Sequence, residues 1–172
     1  MRYFLLHIFL LVISSNNGCC NSSKHILFNS CDTSPVAIGF VNDFEGVLQP
    51  GLEMILDSII RNHKKTTTNE IAIISLKIDT NKIKSLDDFS KLTRQLMNDW
   101  GVGVKGKNNG VGIIFSIQAR MIRIETGIGM EMKLTDDEAD HIIQAIVIPQ
   151  FRKGNIYQGI YDGLLAIIRE IK

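Results

Sequence analysis

The segment from Trp100 to Gly112 (WGVGVKGKNNGVG) places five glycines in thirteen positions beside two lysines and two asparagines. Two phosphate-binding patterns touch it. Gly101-x-Gly103-x-x-Gly106 matches the dinucleotide pattern, in which glycines let the backbone approach a pyrophosphate held at a helix N-terminus. Here a helical pattern precedes the glycines and a strand follows them, which is the reverse order, so that reading is rejected. Gly101-x-x-x-x-Gly106-Lys107 approaches a P-loop, yet Asn108 stands where the Mg²⁺-binding hydroxyl belongs and no helix follows. The glycines therefore read first as a turn-rich connection that needs φ > 0.

Hairpin geometry gives this segment a second meaning. Val111 to Ile117 and Met121 to Thr126 read as two strands joined by Gln118-Ala119-Arg120, the second alternating Ile122/Ile124 against Arg123/Glu125. In an antiparallel hairpin the start of the first strand lies beside the end of the second. Loop 105–110 then neighbours loop 125–131, and Lys105, Lys107, Asn109, Glu125 and Glu131 share one rim. A helix starting at Thr135 directs Asp136 and Asp137 toward the same rim. Carboxylates and amide oxygens on glycine loops are the ligands that Ca²⁺ or Mg²⁺ prefers. Helix chemistry competes for the same acids: Asp137 suits the positive end of the helix dipole, and Glu138 completes a capping box with Thr135.

Other catalytic chemistry finds little support. His7, His25, His63 and His141 lack metal-ligand spacing; His63 reads as a solvated helix end and His141 as a surface position. No serine sits in a Gly-x-Ser-x-Gly elbow. Cys19, Cys20 and Cys31 all precede the core, so it holds no thiol nucleophile and no thiolate metal site.

The elements that position these residues follow from periodicity. Pro50 opens a helix that buries Leu52, Ile55, Leu56 and Ile59, and Glu70 to Leu76 is an apolar strand. Ser85 with Asp88 begins a helix continued by Leu86, Phe89, Leu92, Leu96 and Trp100, and Gly101 stops it. After the hairpin, a helix burying Ile142, Ile143 and Ile146 ends at Pro149, and a last helix carries Ile160, Leu164, Leu165, Ile168 and Ile171. The expected order is α-β-α-β-β-α-α, with a right-handed parallel crossover and an added antiparallel strand in a small mixed sheet.

Composition bounds the class. With 172 residues, 45% hydrophobic and 22% charged, the chain is globular material for a single domain. A formal charge of +1 argues against nucleic acid as a partner. Met1-Arg2, the apolar run Phe4 to Ile13 and the small or polar Ser14 to Gly18 have the layout of a secretory signal peptide, so residues 1–19 are read as a leader and 20–35 as a tether. Cys19 or Cys20 is a lipidation candidate, giving a periplasmic or outer-envelope protein attached to the membrane only through its N-terminus. Free secretion with a Cys31 disulfide to Cys19 or Cys20 is the alternative.

Five separated blocks then resemble the TPM domain family. They are Val41-Asn42-Asp43-Phe44-x-Gly46-Val47-Leu48; the glycine segment through Asn109-Gly110-Val111; Arg123-Ile-Glu-Thr-Gly-Ile-Gly-x-Glu131; Leu134-Thr135-Asp136; and Ile148-Pro149-x-Phe151-Arg152-x-Gly154-x-x-Tyr157-x-Gly159-Ile160. The likeness runs from about residue 39 to the end and makes residues 36–172 a TPM-like domain. It implies an α/β fold, a three-layer α/β/α sandwich with a small mixed central sheet. Members of the family do not share one function: a plant member is described as an acid phosphatase, and bacterial members resemble divalent-cation binders. The resemblance brings in Asp43 as the first acid of the pattern. It implies a shallow metal cleft of Asp43, Asn109, Glu131 and Asp136, joined by Glu125, for Ca²⁺ or Mg²⁺. The expected function is an exported or lipid-anchored accessory module with an envelope protein partner. The alternative is a metal-assisted acid phosphatase acting on phosphate monoesters, with Lys105 or Lys107 steadying the phosphate.

Overall fold

The computed structural model describes residues 35–172, and the leader, the three cysteines and nearly all of the tether lie outside the described residues. Four strands form one sheet in the order β1 (Val41–Asp43), β2 (Glu70–Ser75), β3 (Gly110–Ser116) and β4 (Met121–Thr126). β1, β2 and β3 are parallel, and β4 returns antiparallel to β3. Residue parity assigns the two faces. Ile71, Ile73, Val111, Ile113, Phe115 and Ile124 point to the main core, against α1 (Pro50–Thr67), α3 (Asp136–Ile142), α4 (Ile148–Arg152) and α5 (Ile156–Glu170). The opposite face carries Ala72, Ile74 and Ile114 and is covered by α2 (Leu86–Trp100), whose Met97 occupies the space a side chain at Gly112 would need. This is the three-layer α/β/α sandwich with a mixed sheet.

The two parallel crossovers step the same way across the sheet but over opposite faces. They therefore have opposite hands, and one of them departs from the right-handed rule expected of both. β1 is the element that periodicity did not reveal. Three residues are too few to show a period, and the strand exists through its register with β2, Val41 on Ile73 and Asp43 on Ser75. Asn42 fixes the preceding turn: its side-chain amide donates to the Gly39 carbonyl at 2.8 Å, and its Oδ1 accepts from the Ile38 N–H at 2.7 Å.

The helix boundaries mix agreement with correction. Both capping boxes are formed, Ser85 with Asp88 and Thr135 with Glu138. Pro149 does not end its helix. It has no N–H to give, and its ring crowds the carbonyl four residues back, so the helix widens to a π turn over Ile143–Val147 and resumes as α4. On α1 the buried stripe is Leu56, Ile60 and His63, whereas Ile55 is 46% exposed. On α5, Leu165 is exposed and Ile167 takes the core position.

His63 is thus a core residue, 6% exposed, and not a solvated helix end. Its Nε2 is buried without a hydrogen-bond partner. Burial foremost, then the charges of Lys172 and Lys133, hold its pKa below the ordinary 6.5. The folded state therefore keeps His63 neutral while the unfolded chain takes up a proton. The stability that follows is present above about pH 6.5 and is lost as pH falls toward the lowered folded value. Urea unfolding at pH 7.0 and 5.5 should show a loss of stability that His63→Leu reduces, with no penalty at pH 7.0. An unchanged pH dependence in H63L would assign it to other groups.

Candidate functional site

The strand register divides the candidate residues between the two ends of the sheet. Asp43 pairs with Ser75 at the C-terminal end of β1 and β2, whereas Asn109 immediately precedes Gly110, which pairs with Glu70 at the other end. Five residue steps along β2, from Glu70 to Ser75, separate the two ends, about 17 Å at ~3.3 Å per step. Asp43 and Asn109 therefore do not share a cleft, and the five expected metal ligands are not brought together.

At the end that begins β2 and β3, the glycine segment is an interlocked turn. Gly127 N–H donates to the Gly110 carbonyl at 2.8 Å, and Gly129 N–H donates to the Asn108 carbonyl at 3.1 Å, so loops 105–110 and 125–131 are adjacent. The approach leaves no room for a Cβ: one built on Gly110 lies 2.1 Å from the Val102 carbonyl oxygen, and one on Gly129 lies 2.0 Å from that of Lys107. Asn109 is buried and fully used. Its amide donates to the Thr68 carbonyl at 3.0 Å and to Asn69 Oδ1 at 3.2 Å, while its Oδ1 accepts from the Val104 N–H at 2.9 Å. Glu70 accepts from the Gly103 N–H at 2.8 Å and pairs with Lys64 at 2.5 Å. Burial alone would raise its pKa, but the Lys64 hydrogen bond, the Gly103 N–H and the Lys64 charge together hold it below the ordinary value. Lys107 donates to Thr68 Oγ1 at 3.2 Å, and Lys105 is exposed on the same loop. This end is a structural lock built from polar groups that satisfy one another.

Glu125 belongs to neither end-loop surface. It lies on the α2 face of β4, 7% exposed, accepting from Thr93 Oγ1 at 2.6 Å and Arg123 Nε at 2.9 Å, with Arg94 at 3.9 Å. A buried carboxylate so paired is explained by its partners. Glu131 is exposed beyond the single 3₁₀ turn Ile128–Met130. Asp136 opens α3 on the wall of a separate groove beside β4.

The other end gathers acids that periodicity missed, at the C-terminal ends of the parallel strands, where open α/β sheets bind ligands. Asp43 accepts from the Gly46 N–H at 3.0 Å, the Leu48 N–H at 2.6 Å and the Ser75 hydroxyl. A carboxylate offers about four lone-pair directions, so one remains open. Glu45 reaches across to the β3–β4 turn, accepting from Ser116 Oγ at 2.9 Å, Ile117 N–H at 2.7 Å and Gln118 N–H at 3.2 Å. Glu53, in the first turn of α1, makes no ion pair or side-chain hydrogen bond with any described residue. Burial first, and then the charge of Asp43, push its pKa above the ordinary 4.5. Beside it a cleft of about 430 Å³ opens between Val47, Gln49 and Leu52 on one wall and Gly154 to Gln158 on the other. The sequence carries one signal for this cluster: a polar residue closing each apolar strand, Ser75 and Ser116, with Asp43 closing β1 and Glu45 just after it.

Among the described residues no group of three or more histidines, cysteines or acids is arranged to hold a metal ion, and no helix is long and apolar enough to cross a membrane.

Comparison with known proteins agrees with this fold. The N-terminal domain of a protein from P. gingivalis, solved by NMR in solution, is similar over 76% of this chain and 80% of its own, with 32% identity and a TM-score of 0.66. Two further solution structures are alike in fold alone. BA42 from the psychrophilic bacterium Bizionia argentinensis has 24% identity and a TM-score of 0.52 over 74% of this chain and 83% of its own. The N-terminal domain of cg2496 from Corynebacterium glutamicum has 14% identity and a TM-score of 0.56 over 86% of this chain and 89% of its own. No curated protein matches the sequence. The family model described as the TPM domain matches residues 41–170, from the first residue of β1 to the last of α5. The chain belongs to the TPM domain family.

Proposed function

We propose that the domain is an exported binding module that holds a divalent cation, Ca²⁺ or Mg²⁺, at the C-terminal ends of β1 and β2 and presents that edge to a protein partner in the cell envelope. The observation that supports this reading is the Asp43–Glu53 pair. Burial and the charge of nearby Asp43 together raise the pKa of Glu53, and no lysine or arginine among the described residues is bonded to either carboxylate. Such a pair is relieved by a cation as much as by a proton. Asp43 is held rigidly by three donors, and Glu53 has both oxygens free, which gives one fixed and one adaptable ligand, with water or a partner completing the shell.

The ligand set is therefore Asp43 with Glu53. Lys105 and Lys107 stand at the far end of the sheet, which favours binding over phosphate-monoester hydrolysis. Export rests on the leader-like residues 1–19, and lipid attachment at Cys19 or Cys20 is read out by the intact mass of protein from its native host.

Because the cation must displace the proton that Glu53 keeps to a higher pH than usual, Ca²⁺ or Mg²⁺ should bind more tightly at pH 7 than at pH 5. Titration at both values, followed by amide shifts of residues 43–53, tests this. Shifts of the same size at both values would sink it.

A further inference from the structure

We infer that the free edge of β4 is a docking site for an extended segment of a partner protein, one with basic side chains on one face and apolar side chains on the other. The Gly127 N–H to Gly110 carbonyl bond fixes which residues of β4 turn toward β3. Gly110/Gly127 is a hydrogen-bonded pair, so Glu125 and Arg123 also give their backbone groups to β3, and Ile122 and Ile124 direct theirs outward. β4 is the last strand of the sheet, and no hydrogen bond from another described residue covers those outward groups.

A groove of about 510 Å³ runs along this edge. One wall is α3, presenting Asp136, Asp137 and Asp140, all exposed and none in a salt bridge among the described residues. The opposite lip is Leu86 at the start of α2, 64% exposed although it is a large apolar side chain. A strand added to β4 would alternate its side chains between these walls. Arg120 and Arg123 also line the groove, Arg123 neutralised by Glu125 on the α2 face, so the three aspartates of α3 call for lysine or arginine on their side while Leu86 offers an apolar contact on the other. A second copy of this chain meets that requirement poorly, because the charged residues of its own β4, Arg123 and Glu125, bond to each other on the α2 face.

The test is titration of the full chain with the peptide Ac-Lys-Val-Lys-Val-Lys-Val-NH₂ and its charge-reversed form, in which glutamate replaces lysine, followed by amide NMR. The expected result is shifts confined to Ile122–Thr126 and α3, slowed exchange of the Ile122 and Ile124 amides, and no response to the acidic peptide. Ile122→Pro removes an outward donor without touching the β3 ladder and should abolish binding. Should that variant unfold, Asp136→Asn combined with Asp140→Asn leaves the sheet untouched and should weaken binding roughly tenfold, the equivalent of ~1.4 kcal/mol. Absence of binding, equal binding of both peptides, or shifts outside the groove would overturn the inference. So would a dimer in sedimentation that the Asp136/Asp140 variant leaves intact and that blocks the edge, since the occupant would then be a second copy.

Discussion

Gly110→Ala should destabilise the domain by at least about 3 kcal/mol, whereas Gly106→Ala, four residues away in the same glycine segment, should cost only about 1 kcal/mol. A Cβ at position 110 would sit 2.1 Å from the Val102 carbonyl oxygen and 2.6 Å from its carbon. Both are backbone atoms, so the clash is relieved only by lifting the 101–109 loop off the start of β3. That movement also breaks the Asn109 bonds to Thr68, Asn69 and Val104. Gly106 has φ +84° with nothing within 4 Å of its would-be Cβ, so alanine there meets only the left-handed backbone penalty. At roughly 4 °C per kcal/mol for a domain of this size, the two variants should differ in Tm by about 8 °C or more. Equal melting temperatures would mean that the glycine segment is not the lock described.

The second large effect is expected at Glu45. Its carboxylate ties the β1–α1 loop to the β3–β4 turn through three bonds, across more than seventy residues of sequence. Hydrogen bonds to a charged acceptor contribute about 1.5–3 kcal/mol each when buried and less at a half-exposed site, so Glu45→Ala should cost roughly 3 kcal/mol in urea unfolding. Glu45→Gln keeps one acceptor oxygen and should lose about half of that. The loss should appear as a lower denaturation midpoint at unchanged m-value. If the alanine variant unfolds within ~0.5 kcal/mol of wild type, the strap carries no weight.

These two expectations also mark what was legible in the sequence. The hairpin, both capping boxes and the adjacency of loops 105–110 and 125–131 follow from local rules, because turn chemistry and strand alternation act over a few residues. β1 was not legible, since a three-residue strand is defined by its neighbour. With β1 parallel to β2, Asp43 falls at the C-terminal end of its strand, and Asn109, just before β3, falls at the opposite end. Without β1, both read as loop residues free to meet. His63 reads as a helix end for a related reason: lysines follow it in sequence, but the i, i+4, i+7 spacing from Leu56 through Ile60 carries it into the core. Pro149 ended a helix by local rule, yet a π turn accommodates it.

Many of the residues that carry the family resemblance turn out to hold the fold. Asn42 makes a turn, Phe44 packs edge-on against Trp100 at 6.2 Å, Asn109 locks a loop, Glu125 is paired, and Phe151 stacks edge-on against Phe115 at 5.8 Å. Asp43 also shapes its loop. What distinguishes it is the remaining lone pair and its charge acting on the unpaired Glu53.

The most direct measurement is therefore calorimetric titration of the full chain with CaCl₂ and MgCl₂ at pH 7, repeated with Asp43→Asn, Glu53→Gln and Asp136→Asn. Saturable binding is expected, weakened at least tenfold, about 1.4 kcal/mol, by D43N and by E53Q and unchanged in D136N. Binding that survives both D43N and E53Q, or no binding by a folded wild-type chain, would contradict it.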